Sequence, residues 1–146
     1  MEAAALVPEL YVSVLSRSLS FYLELLGFAV EYDRPEERFA AIALGAARIM
    51  LEEAPSLGAA TPDEFSRGEW RPAELRHPFG RGINLQIAVP DVARIRSSLS
   101  AARYPVLLEP YERSYRAGRV NLTVRQMLVA DPDGYLIRPA QLLERS

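Results

Sequence analysis

Polar and apolar positions alternate over 7–14, where Leu10, Val12 and Val14 are interleaved with Glu9, Tyr11 and Ser13, the pattern of a strand with one buried face. The period then changes. Leu19, Tyr22, Leu23 and Leu26 recur every three or four residues, which predicts an amphipathic helix of about three turns, capped by Ser16 and stopped at Gly27. Three short apolar runs follow, at 28–33, 38–44 and 47–53, divided by a charged turn around Pro35 and a tight turn at Gly45. The unit is strand, helix, strand, strand, strand.

Residues 54–80 show no period and are punctuated by proline and glycine from Pro55 to Gly80, so they predict a long connection. The unit then starts again. Ile83, Leu85, Ile87 and Val89 alternate with Asn84, Gln86 and Ala88, and the apolar set is expected to turn towards a helix. Asp91 caps that helix, whose stripe is Val92, Ile95, Leu99 and Ala102. Strands are predicted from 106 towards 115, at 124–130 and at 135–141, the last two joined by the turn Asp131-Pro132-Asp133-Gly134. The fold class is α+β: one domain over 1–146 made of two βαβββ modules, module one at 1–53, the connection at 54–80 and module two at 81–146. Each module carries a helix on one sheet face, and the other faces border a cleft where a ligand would sit.

Composition narrows the possibilities. At 146 residues the chain is long enough to bury roughly 70% of its unfolded surface, and 49% hydrophobic with 25% charged residues is an ordinary globular balance. The formal charge of −2 supplies no general field for phosphates, so neither nucleic acid nor a membrane is expected as a partner. The two halves differ: 6 Arg against 12 acids up to residue 73, then 11 Arg against 7 acids. There is no cysteine and every basic residue is arginine, which removes disulfides, thiolate metal sites, thiol nucleophiles and Schiff-base lysines. The opening MEAAALVPEL lacks the basic and long apolar regions of a signal peptide, and no run reaches the roughly 18 apolar residues of a membrane span, so a cytoplasmic location is expected.

Phe21-Tyr22 followed by Leu26-Gly27-Phe28, then Val89-Pro90-Asp91-Val92, then Ala130-Asp131-Pro132-Asp133-Gly134-Tyr135 resemble the vicinal oxygen chelate superfamily of glyoxalase I, extradiol dioxygenases and bleomycin resistance proteins. The resemblance runs nearly end to end, apart from 54–80. It implies sheets curled around a cavity, commonly built across a homodimer, and in the enzymes a divalent metal held by one side chain from each of four strands. Carried over by spacing from the motifs, those positions are Val7, Met50, Asn84 and Arg138. None suits a hard cation, which takes carboxylate or imidazole donors. Glu52, two residues past Met50, and Glu9, two past Val7, are neighbouring carboxylates, and His77 is the single histidine, placed in the connection.

The expectation is therefore a metal-free, cofactor-free small-molecule binding protein, homodimeric, closest to the bleomycin resistance group and possessing no assigned catalytic residue. Its ligand-binding candidates are Met50, Glu52, Asn84, Gln86 and Arg138 on the strands, with Trp70, Tyr111 and Tyr115 as aromatic walls. Arg138 has two readings, a cation awaiting a ligand or a structural partner of Glu52. Asn84 and Gln86 either orient a ligand or bond neighbouring strands and water, and the aromatics either stack on a ligand or anchor loops. The run Arg113, Arg116, Arg119 and Arg125 reads as a solvated strand face. The competing function is a metal-dependent lyase, isomerase or dioxygenase of the same fold; a third is a subunit whose cleft is filled by its own side chains.

Overall fold

The computed structural model describes residues 4–146; the first three residues of the opening segment lie outside the described residues. β1 (Glu9–Val12) leads into α1 (Leu15–Leu19), which continues as a π-helical segment (Ser20–Leu25). β2 (Ala29–Arg34), β3 (Phe39–Leu44) and β4 (Ala47–Glu53) complete one sheet in the order β1-β4-β3-β2. The short α2 (Pro62–Ser66) lies within the connection. β5 (Asn84–Ala88), α3 (Val92–Ala101), β6 (Leu108–Ala117), β7 (Val120–Ala130) and β8 (Leu136–Arg145) then repeat the plan as β5-β8-β7-β6. In both sheets the first and last strands pair in parallel and the rest antiparallel.

The helices share one core. Val12, Ile42, Leu51 and Tyr22 from module one and Val92, Leu99, Val129 and Ile137 from module two are all fully buried in a single cluster. The π-helical widening explains how two consecutive aromatics are both inside. Leu26 N–H reaches back five residues to the Phe21 carbonyl (3.2 Å), and the wider turn sends Phe21 against Tyr104 of module two (5.0 Å between ring centroids) and Tyr22 against Phe28 (5.5 Å).

The modules are clasped at the Asp131–Gly134 turn. Tyr22 Oη donates to Asp131 Oδ2 (2.8 Å), while Asp131 Oδ1 accepts from the backbone N–H groups of Asp133 and Tyr135, both at 2.9 Å. Asp133 accepts from the backbone N–H of Ser13 (3.0 Å) and from its hydroxyl. Tyr135 Oη donates to the Tyr11 carbonyl (2.8 Å). Both carboxylates are buried although they sit in a turn. Burial pushes Asp131 up to about 6 against the pull of its three donors.

Four local expectations change. Val14, not Ser16, occupies the α1 N-cap and offers no side-chain bond; Glu53 Oε2 accepts from Leu15 N–H instead (3.0 Å). Ile83 is 58% exposed, because the preceding turn at Gly80 and Gly82 lets β5 begin only at Asn84. α2 carries a Thr61–Glu64 capping box that the prolines around it mask. The connection is held by Arg71, fully buried, with Gly58 O (3.1 Å), Glu64 (3.4 Å) and Glu69 (3.5 Å) around its guanidinium.

The outer strands β2 and β6 each carry an irregular register, at Val30/Tyr32 and Leu108/Tyr111. β2 presents Asp33 outward, with Glu31 half-buried against Arg48, and β6 presents Glu109, Glu112, Arg113 and Arg116. Among the described residues no helix is long and apolar enough to cross a membrane.

Candidate functional site

Strand alternation decides which side chains leave the core. In module one Leu10, Ile42, Ile49 and Leu51 are buried under the helix, so Glu9, Tyr11, Met50 and Glu52 project from the opposite face. Phe39 and Ala41 lie beside them on β3 and are roofed by β2: the Arg34 guanidinium stands 3.9 Å over the Phe39 ring, and the Tyr32 ring is 6.0 Å away. This face is acidic. Glu52 is pushed up to about 7, first by partial burial and then by the hydrogen bond and charge of Glu9 beside it.

A protonated Glu52 is therefore favoured in the fold. Its contribution to stability is fully present below the ordinary carboxyl value of 4.5 and is lost as pH rises through about 7. Glu52→Gln, which cannot ionise, is expected to melt at a higher temperature than the wild type above pH 7, and the two curves are expected to converge in acid. Thermal melts across that range check it, and a pH-independent difference contradicts the paired carboxyls.

The connection straps this face. Tyr11 Oη accepts from Trp70 N–H (2.8 Å) and donates to the Gly68 carbonyl (3.4 Å), and the Arg71 guanidinium lies 5.8 Å from the Tyr11 ring centroid. The Trp70 side chain stays 59% exposed at the rim.

In module two Ile87, Met127, Val129 and Ile137 turn to the core, which sends Asn84, Gln86, Gln126 and Arg138 to the open face. Gln126 is 2% exposed and sits at the centre. Its Nε2 donates to Tyr111 Oη (2.8 Å) and Tyr115 Oη (2.6 Å), and its Oε1 accepts from Arg138 Nη1 (3.5 Å). A pocket of about 200 Å³ opens here, lined by Asn84, Tyr111, Gln126 and Arg138 against Leu108, Leu128 and Leu136. Arg138 and Glu52 are on different sheets and form no ion pair with each other among the described residues.

Seven of the eight predicted ligand residues therefore fall into two groups, Met50 and Glu52 on one sheet and Asn84, Gln86, Arg138, Tyr111 and Tyr115 on the other. Gln86 lies on the second face, paired in register with Arg138. Trp70 belongs to the strap. Gln126 was not singled out in the sequence, although it lies opposite buried Met127 and Val129 in the alternation of β7.

The four positions that the resemblance assigns to a metal, Val7, Met50, Asn84 and Arg138, carry an isopropyl group, a thioether, an amide and a guanidinium. A fixed cation beside weak donors does not fit a divalent ion. Among the described residues no group of three or more His, Cys, Asp or Glu side chains is gathered to hold one. A larger cavity of about 450 Å³ lies on the helical side, between Leu26, Gly27, Val89 and Arg94. It touches neither open sheet face, and its Asp91 is already engaged as the cap of α3 through Arg94 N–H (3.2 Å).

Two four-stranded sheets, each closed by a parallel first-and-last pair and backed by a helix, define a paired βαβββ protein. The family model described as Glyoxalase/Bleomycin resistance protein/Dioxygenase superfamily matches residues 6–138, and the chain belongs to that superfamily. It is similar to a superfamily member from Vibrio splendidus 12B01, at 32% identity over 94% of this chain and 97% of that one, with a TM-score of 0.40. It also resembles a virulence protein from Salmonella typhimurium (23% identity, 98% and 99% covered, TM-score 0.64). A lactoylglutathione lyase from Agrobacterium tumefaciens shares 14% identity over 97% of this chain and 95% of that one, with a TM-score of 0.58. The last two likenesses speak for the fold alone. Among curated proteins nothing matches the chain.

Proposed function

We propose that the protein is a metal-free binder of small polar or aromatic molecules, within the bleomycin resistance type of its superfamily. The observation that carries this reading is that the four positions the resemblance assigns to a metal hold Val7, just ahead of β1, and Met50, Asn84 and Arg138 on the strands, a set with no carboxylate or imidazole donor and one permanent positive charge. What the open faces offer instead is aromatic walls, amides and an arginine, which suit reversible recognition of an organic ligand. Neither face holds a nucleophile paired with a base, and the single histidine is an exposed residue of the connection.

The reading includes a homodimer. A pocket of about 200 Å³ on one face is smaller than the roughly 300–1,000 Å³ of sites for drug-sized ligands, and a second copy would complete it.

Two measurements test the proposal. Light scattering is expected to give about twice the chain mass of 16.3 kDa. Protein purified without chelator is expected to contain no stoichiometric nickel, zinc, manganese or iron by elemental analysis, and added metal is expected to leave its melting temperature unchanged. Stoichiometric metal would return the protein to the lyase and dioxygenase side of the superfamily, where the cleft would act as a chelate enzyme.

A further inference from the structure

We infer that the open face of module two seats the carboxylate of a small organic acid, with Arg138 as its counter-ion and Tyr111 and Tyr115 as hydroxyl donors oriented by Gln126. The inference rests on the reading of this cleft as a ligand site and names the chemistry of the ligand.

The argument begins with an unbalanced charge. Arg138 is half-buried, its Nε is shut off from water with no hydrogen-bond partner, and no described carboxylate forms an ion pair with it. Its one protein hydrogen bond is to the neutral Gln126 oxygen at 3.5 Å. A guanidinium partly withdrawn from water without a counter-ion is costly, so the site is built for an anion that arrives from outside.

Gln126 then fixes the polarity of the neighbouring hydroxyls. A guanidinium carries only donors, so the amide must turn its oxygen to Arg138 and its two N–H bonds to Tyr111 and Tyr115. Each phenol oxygen thus accepts, and each phenol proton is left without a protein acceptor among the described hydrogen bonds. The centre of the face presents donors, the guanidinium, the Tyr111 hydroxyl at the pocket wall and the Tyr115 hydroxyl beside it, and the Asn84 amide across the pocket can turn its NH₂ group to the same point. Donors converging in a partly dry pocket match oxygen lone pairs.

The class follows from charge and size. Arg125 is committed to Glu112 at 2.6 Å, and Arg113 lies 5.1 Å from the Tyr115 ring centroid, outside the pocket lining. One free guanidinium balances a monoanion, whereas a phosphate dianion would remain half compensated. Leu108, Leu128 and Leu136 supply an apolar wall for the rest of the molecule, and about 200 Å³ on one copy is room enough for a small body.

Benzoate and its neutral isostere benzamide form the test, with titration calorimetry and thermal shift on the full chain. Benzoate is expected to bind and to stabilise the wild type, and benzamide to do neither at equal concentration. Arg138→Met is expected to weaken benzoate by at least about 30-fold. Gln126→Glu is the sharper variant: it gives Arg138 an internal carboxylate and turns both phenol protons inward. It should lose benzoate by a similar factor while melting no lower than the wild type, which separates recognition from folding. Equal binding of benzamide, or retention of benzoate by Gln126→Glu, overturns the inference and leaves a neutral-ligand binder standing. No benzoate effect on the wild type means that the counter-ion of Arg138 lies elsewhere, and the inference falls while the elemental analysis still judges the wider reading.

Discussion

Asp131→Ala is expected to cost the protein about 3 kcal/mol, because it leaves two buried donors, the Tyr22 hydroxyl and the Asp133 N–H, and the half-buried Tyr135 N–H with nothing to accept them. Each orphaned group carries a penalty of about 1–3 kcal/mol, and the Tyr22 bond is the one that ties the module-one helix to the module-two turn. At roughly 2–4 °C per kcal/mol for a chain of this length, the melting temperature should fall by about 6–12 °C. Asp131→Asn should fall less, since its amide oxygen keeps both backbone bonds and its NH₂ group donates to the Tyr22 oxygen. Thermal melts of the three proteins check the order; an alanine variant that melts with the wild type would mean that the clasp contributes nothing.

Gly134→Ala is expected to be comparably damaging for a different reason. The residue has φ of +95°, and an added Cβ would lie 2.6 Å from the Cα and Cβ of Pro78 and 3.1 Å from the Phe79 nitrogen, which donates to the Asp133 carbonyl at 2.8 Å. Left-handed backbone costs roughly 1–2 kcal/mol for a residue bearing a Cβ. Overpacking adds about 1–3 kcal/mol, and here the obstacle is main chain, which cannot rotate away. Gly118→Ala is the matched control: its φ is +66° but nothing lies within 4 Å of the added atom, so it should show the backbone cost alone. Denaturant unfolding of both variants separates conformational strain from collision. Equal losses would show that the close approach of the 78–79 backbone is unimportant.

Both effects concern a turn whose geometry, but not whose importance, is written in the sequence. Asp-Pro-Asp-Gly announces a chain reversal through local preferences, yet the burial of its two acids depends on Ser13 and Tyr22, more than a hundred positions away. The strands and helices were legible because period-two and period-3.6 patterns are local consequences of burying one face, and β4 falls on 47–53 as predicted. α2 was hidden since the prolines flanking it read as irregular chain, although Thr61 and Glu64 stand at capping-box spacing. Arg71 was invisible for a related reason: an arginine in a proline-rich connection reads as solvated, and only the fold surrounds it with Glu64, Glu69 and a carbonyl. The candidate site was legible as a set of outward strand positions. Its organisation around Gln126 was not, because an isolated amide on an outer face carries no signal until Tyr111, Tyr115 and Arg138 are placed against it.

The irregular outer strands carry a consequence for how copies of this chain can meet. An unpaired strand normally invites another to add to the ladder and extend it indefinitely, but a ladder broken by an irregular register and lined with charged side chains of both signs offers no straight row of amides to template against. With lateral growth discouraged at β2 and β6, the proposed pairing of two copies would use the broad faces of the sheets instead. There the proposed pairing would close on itself after two copies, and the surfaces proposed to hold a ligand would then also limit further growth.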